Sequence, residues 1–140
     1  MRALIASGGH RVAQFTYDYI HLCSPNFEAT AAFYARMFGA EVIRTLQQGK
    51  PRIDLKIGCA NVFMAEVLPD ANVNPPPQTP YQGLDHCGLP VTEIDAVVAE
   101  LKAKGAQFTM EPTTIRPGVR IAFLRGPEGV SIELLEPSPH

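Results

Sequence analysis

Residues 17–68 and 84–136 run through the same succession of signals: an apolar strand carrying a histidine, an amphipathic helix closed by Gly-Ala, and three strands of which the last bears a glutamate. The spacings agree as well as the order. His21 lies 18 residues before Gly39 and His86 lies 19 before Gly105, while His21 to Glu66 is 45 residues and His86 to Glu133 is 47. Such self-similarity predicts two copies of one βαβββ unit, an α+β architecture in which each unit uses its neighbour to complete a core.

In the first copy a strand is expected over Phe15 to Cys23, with Ile20 and Leu22 on one face and Tyr19, His21 and Cys23 on the other. Ser24-Pro25 resembles an N-cap followed by proline at the first helical position, and Phe27, Ala31, Tyr34 and Phe38 follow at helical spacing up to Gly39. Ala40 to Thr45, Ile53 to Ile57 and Asn61 to Val67 are predicted strands, with a turn over Gln47 to Pro51. Alternation in the last sets Phe63, Ala65 and Val67 against Val62, Met64 and Glu66, which makes Glu66 a candidate inward carboxylate.

Residues 69–83 contain Pro69, Pro75, Pro76, Pro77 and Pro80, a composition that resists helix and central strand alike and reads as a linker. The second copy opens at Leu84 to Leu89, where His86 shares a face with Leu84 and Gly88, opposite Asp85 and Cys87. A helix over Thr92 to Lys104 is expected, with Thr92 and Asp95 resembling a capping box and Ile94, Val97, Val98 and Leu101 as its apolar stripe. Strands over Gln107 to Met110, Arg120 to Leu124 and Val130 to Leu135 complete it, with a loop over Glu111 to Val119. Within the last strand Val130, Ile132 and Leu134 form the core face and Ser131, Glu133 and Leu135 the other. Burying Glu133 unpaired costs several kcal/mol, against roughly 1.5–3 kcal/mol returned by one buried aliphatic side chain, so Glu133 faces either water or a partner.

Composition limits what such a repeat can be. With 140 residues, 46% of them hydrophobic and 19% charged, the chain fits one globular vicinal pair of modules, with residues 1–16 as an arm or cloning remnant and 137–140 as a tail. A net charge of -2 without a basic stripe argues against nucleic acid as a partner, and the apolar run near Met1 is too short to span a membrane. Cys23, Cys59 and Cys87 are odd in number and lack a Cys-x-x-Cys pair, so neither a disulfide framework nor a zinc knuckle is indicated and a reducing cytoplasm is the default.

Tyr19-Ile20-His21-Leu22, Phe33-Tyr34, Phe38-Gly39-Ala40, Leu84-Asp85-His86, Leu101 to Ala106 and Pro127 to Leu134 occur in an order that resembles the vicinal oxygen chelate superfamily. That group includes glyoxalase I, methylmalonyl-CoA epimerase, extradiol dioxygenases, fosfomycin-resistance transferases and bleomycin-binding proteins. The resemblance implies curved mixed sheets around a metal-binding cleft, and carries His21, Glu66, His86 and Glu133 over as ligands of one divalent metal. Two imidazoles and two carboxylates suit Zn²⁺, Ni²⁺, Co²⁺, Mn²⁺ or Fe²⁺. Taken singly each residue is more often a surface or satisfied core group, and Glu66 depends on a strand register that one residue's slip would reverse.

With four ligands the resemblance implies a glyoxalase I-like lyase or isomerase that chelates adjacent substrate oxygens and stabilises an enediolate, with Glu133 or Glu66 as the base. With His21, His86 and Glu133 alone, the set is a two-histidine, one-carboxylate triad, and an iron-dependent extradiol-type dioxygenase or an antibiotic-modifying transferase becomes the rival. A metal-free, bleomycin-type binding protein is the third reading. The partners implied are a small-molecule substrate and a second copy of the chain, the homodimer setting the His21/Glu66 strands of one subunit against the His86/Glu133 strands of the other. Cys23 and Cys87 read as packing residues, Phe33 and Tyr34 as helix core, and Arg116 and Arg120 as exposed cations with an anion-binding role as the sharper alternative.

Overall fold

The computed structural model describes residues 4–5 and 11–137. A short pair, β1 (Leu4–Ile5) and β2 (Arg11–Val12), precedes the first module, β3 (Tyr19–Ser24), α1 (Phe27–Phe38), β4 (Glu41–Gln47), β5 (Lys50–Ile57) and β6 (Ala60–Glu66). The second comprises β7 (His86–Pro90), α2 (Ile94–Ala103), β8 (Gln107–Arg116), β9 (Val119–Arg125) and β10 (Ser131–Glu136), with a single 3-10 turn over Pro127–Gly129. Their four-stranded sheets have the same order, β3-β6-β5-β4 and β7-β10-β9-β8. In each, the first strand pairs in parallel with the last and the remaining pairs are antiparallel. The α+β repeat anticipated from the spacing is therefore the architecture. Parts of the expected arm and tail lie outside the described residues.

Strand alternation decides which face of each sheet is core. Ile132 and Leu134 of β10, Ala122 and Leu124 of β9, Ile53 and Leu55 of β5, and Val62 and Met64 of β6 are all buried. Helix α1 covers one set with Phe27, Ala31, Tyr34 and Met37, and α2 the other with Ile94, Val98 and Leu101. These side chains form one cluster that runs through both modules. Each fully buried aliphatic contributes roughly 1.5–3 kcal/mol, so the helix-side faces fix the strand registers.

Two contacts join the modules on the helix side. Arg36 near the end of α1 donates from Nη1 to the Lys104 carbonyl at 2.9 Å, and Lys104 Nζ donates to the Arg36 carbonyl at 3.2 Å, so each cation meets carbonyls at the other helix's negative end. Gly126 packs beneath Tyr34 and Phe33. A Cβ there would stand 3.1 Å from Ile132 Cδ1 and 3.2 Å from Tyr34 Oη, and both neighbours are buried.

The helix starts differ from the sequence expectation. Asn26, not Ser24, caps α1, accepting from the Ala29 amide at 3.1 Å; Ser24 is buried, accepts from the Asn26 amide and bonds the Thr30 hydroxyl at 2.8 Å. The anticipated Thr92/Asp95 capping box does not form. Glu93 is the N-cap residue, in a left-handed conformation (φ 56°) and without a side-chain cap. Glu136, at the far end of β10, accepts from the Glu93 and Ile94 amides at 3.2 Å each. A carboxylate supplied across the sheet thus does the work of the local cap and faces the helix's positive end. Asp95 instead pairs with Arg120.

The expected loop over Glu111 to Val119 is mostly strand. β8 continues to Arg116 through register irregularities and turns only at Pro117 and Gly118, because bulges absorb the pattern that broke the alternation. The first strand begins at Tyr19 rather than Phe15. Two outcomes are expected in urea denaturation. Gly126→Ala should lower stability by about 1–3 kcal/mol through overpacking against Ile132 and Tyr34, and Glu136→Ala by about 0.5–2 kcal/mol through loss of the α2 cap.

Candidate functional site

With the helices on one face, the other face of each sheet carries His21 in the first module and His86 and Glu133 in the second. In the second module the parallel register sets Ser131 opposite His86 and Glu133 opposite Gly88, so His86 and Glu133 project from the same face one step apart. Glu133 rises over Gly88, where even a Cβ would stand 3.8 Å from its Oε2. It reaches His86 with Oε2 at 3.1 Å from Nε2. Phe123, opposite Glu133 on β9, sets its ring edge-on to His86 at 5.0 Å and 81°.

Asp85 was expected on the opposite face from His86. It precedes β7, so strand alternation does not bind it, and its Oδ2 lies 3.0 Å from His86 Nδ1. Asp85 is in turn held by the Tyr81 amide at 3.2 Å, and the Tyr81 hydroxyl donates to the Leu84 carbonyl. The Asp85 bond is the foremost cause raising His86 above its ordinary value; desolvation opposes it and Glu133's charge adds to it. Asp85 is lowered, chiefly by the same bond. When the imidazole is neutral, Asp85 favours the proton on Nδ1 and leaves the Nε2 lone pair directed toward Glu133, the tautomer a metal ligand requires.

The first module uses the same geometry with other side chains. His21 stands opposite Phe63, Cys23 opposite Ala65, and Ser24 opposite Glu66. The counterpart of Glu133, opposite the second residue after the histidine, is therefore Ala65. Glu66 falls one residue further on, exposed at the strand's end on the Val62 and Met64 side, so it does not share His21's face. The sequence spacing placed a glutamate at nearly the right distance, but its parity is wrong. Cys23 does share the face of His21, with Sγ 3.9 Å from Nδ1, yet it is exposed rather than a packing residue. Phe33 and Tyr34 lie in or against the core, and burial first, then neighbouring Cys87, raises the Tyr34 phenol.

Arg120 also differs from the anion-binding alternative. It donates to Asp95 at 2.6 and 3.2 Å and lines a cavity of about 540 Å³ with Glu93, Glu136 and Thr114 at the start of α2. Its partner across the ladder is Glu136, three residues from Glu133 and therefore on the other face of the sheet. Residues that sequence reasoning passed over are Arg52 and Asp54, neighbours of Phe63 described below. Their alternate placement in Lys50–Ile57 was the available signal.

The second-module donors fit a metal's bite. Two ligands each about 2.0–2.2 Å from one ion at a tetrahedral angle stand roughly 3.4 Å apart, close to the His86 to Glu133 separation. His21 offers a third donor of the right type, but among the described residues no three His, Cys, Asp or Glu side chains converge as a metal site. Among the described residues no helix is long and apolar enough to cross a membrane.

Paired βαβββ modules with a histidine on the first strand of each and a glutamate closing the second define a class of small α+β proteins. Residues 16–134 match the family model of the Glyoxalase/Bleomycin resistance protein/Dioxygenase superfamily, and the chain belongs to that superfamily. A glyoxalase family protein from Bacillus cereus superposes with a TM-score of 0.74 at 16% identity, covering 96% of this chain and 100% of that one. A fosfomycin resistance protein from Listeria monocytogenes gives 0.71 at 19% identity, covering 90% and 96%. A probable chloroplastic lactoylglutathione lyase of Arabidopsis thaliana is 38% identical over 58 residues, which is 41% of this chain and 17% of that protein. The structural likenesses show the fold.

In metal-free protein the raised His86 titration should be visible by NMR, with the imidazole midpoint above about 6.5. Asp85→Asn should lower it more than Glu133→Gln does. Because the folded value is raised, the stabilisation from the imidazolium's contacts is complete below the unfolded value and is lost as pH rises through the folded one. An unshifted midpoint in wild type would contradict the arrangement.

Proposed function

We propose that the protein is a divalent-metal enzyme of this superfamily whose metal is held by His86 and Glu133 of one subunit and His21 of a second copy. The observation that carries the reading is the strand register, which supports His86 and Glu133 as one bite and leaves Glu66 on the far face. The donor set is then two imidazoles and one carboxylate, a facial arrangement with positions open for substrate. When bound, the metal supplies Lewis-acid polarisation of adjacent substrate oxygens. Asp85 orients His86, Gly88 clears the space over which Glu133 reaches, and Phe123 limits the ring's rotation. Glu133 is the one carboxylate of the expected set beside the metal's place, so it also serves as the group that takes or returns a proton at Oε2.

This triad favours oxygen-dependent ring opening or nucleophilic addition over a four-ligand proton-transfer site. The second reading, glyoxalase-like isomerisation, is supported by the 58-residue likeness to the protein named as a lactoylglutathione lyase. Oxygen uptake with catechols in the Fe²⁺-loaded protein supports the first, and turnover of the methylglyoxal hemithioacetal supports the second.

Metal analysis tests the site itself. Glu133→Gln and His21→Ala should each weaken Mn²⁺ or Zn²⁺ binding by at least about tenfold, on the scale of losing one ligand, and Glu66→Gln should leave it unchanged. Mixing His21→Ala with Glu133→Gln protein should restore about a quarter of the wild-type sites, because a heterodimer of the two carries one intact site. Full affinity in Glu133→Gln, or no recovery on mixing, overturns the ligand set or the sharing respectively.

A further inference from the structure

Where the second module presents a carboxylate, the first presents an aromatic stack and a guanidinium. Phe63 stands between His21 on β3 and Asp54 on β5 in one row across the sheet. Tyr19, one turn of the pleat away on β3, stacks on it with ring centroids 4.3 Å apart and planes at 26°. The Arg52 guanidinium lies over the same ring, Cζ 4.9 Å from its centroid. Two groups at such distances cannot share one face of a ring, so Tyr19 and Arg52 enclose Phe63.

Arg52 is held in place by two bonds. Nε donates to Asp54 Oδ2 at 2.7 Å and Nη1 to Gln47 Oε1 at 2.8 Å, while Nη2 has no hydrogen-bond partner among the described residues. Asp54 is largely covered, with its side chain 14% exposed against 29% for Arg52, and its Oδ1 also receives the Met64 amide at 3.4 Å. The carboxylate therefore serves as a bracket. It fixes the plane of the guanidinium and leaves its Nη2 edge without a hydrogen-bond partner among the described residues, and a pre-oriented guanidinium loses less entropy on taking an anion than a free one.

Ala65 explains why this edge is accessible. At the place where the second module carries Glu133, the first carries a methyl group, so no carboxylate of that strand competes for Arg52. We infer that Arg52, Phe63 and Tyr19 form the anchoring half of the substrate cleft and take a planar anion, an aromatic or conjugated carboxylate, with its charge on Arg52 Nη2 and its flat body across the outer edges of the Phe63 and Tyr19 rings. This rests on the reading of the His21 face as the substrate side, since it places the anchor one strand from His21. It adds a substrate class: a rigid, flat acid rather than a flexible thiol conjugate. Carboxylate recognition by a guanidinium and stacking by aromatic rings are general recognition chemistries, and here they meet at Phe63.

The test uses benzoate on metal-free, full-length protein, followed by ¹H–¹⁵N and aromatic NMR shifts, so that it is independent of whether a metal binds. Benzoate should move the Arg52 Nε–H, Phe63 and Tyr19 signals, and benzyl alcohol, which has the ring without the charge, should bind at least about tenfold more weakly, the cost of one charge-assisted hydrogen bond. Arg52→Gln should weaken benzoate about tenfold and Phe63→Leu severalfold. Arg52→Lys, which keeps the charge without the fork, should fall between wild type and Arg52→Gln, and it serves as the measurement if Arg52→Gln does not fold. Equal benzoate affinity in wild type and these variants, shifts confined to other parts of the molecule, or no binding overturns the proposal. Those results leave the metal assignment standing, whereas loss of metal binding in wild type with benzoate binding intact would separate the two in the other direction.

Discussion

The register of β10 between β7 and β9 is the constraint on which the second module depends. Ile132 and Leu134 are fully buried beneath α2, and Glu133 lies between them in sequence and so on the other face. Moving β10 by one residue would turn Glu133 into the core and both aliphatics out. That would cost roughly 3–6 kcal/mol for the two side chains alone, in addition to burying a charge. The position of the Glu133 carboxylate is thus fixed by apolar packing it takes no part in. Glu136 extends the link, since the same strand supplies the carboxylate that caps α2, and the helix that buries Ile132 and Leu134 is anchored by their own strand.

Charge is arranged with the same economy on the exposed face. His86 stands between Asp85 and Glu133, and the two acids act on different nitrogens. Asp85 orients the ring from outside the strand, and Glu133 faces the nitrogen left available. A protonated imidazole therefore meets a carboxylate at each nitrogen.

Much of this was legible in the sequence because it follows period-two alternation and a repeated order. The two histidines, Glu133, the apolar face of β10 and the glycine stop of α1 were all readable, whereas the face of β6 that carries Val62 and Met64, taken as the ligand side, is the core face. Glu66 was not placed correctly, because equal spacing between repeats measures chain length and not parity: a hairpin shorter by a few residues shifts which residue meets the histidine's strand. Asp85 was missed for the converse reason, since alternation was extended one residue beyond the strand's true start. The α2 cap could not be found locally, as its carboxylate comes from 43 residues away. Glu93 holds a left-handed conformation that no Thr-x-x-Asp pattern announces.

The two modules share strand order, helix placement and histidine position, and they differ where the last strand meets the first. Gly88 faces Glu133 in one, and Cys23 faces Ala65 in the other. In each pair one member is small. The backbone leaves open which strand provides the projecting group there and what charge it carries. In the second module that freedom is used for a carboxylate beside His86. In the first, Ala65 leaves its row low and Arg52 is held over the adjacent Phe63 by Asp54. One βαβββ topology thereby presents two chemically distinct faces, a histidine beside a carboxylate in the second module and an aromatic stack beneath a guanidinium in the first.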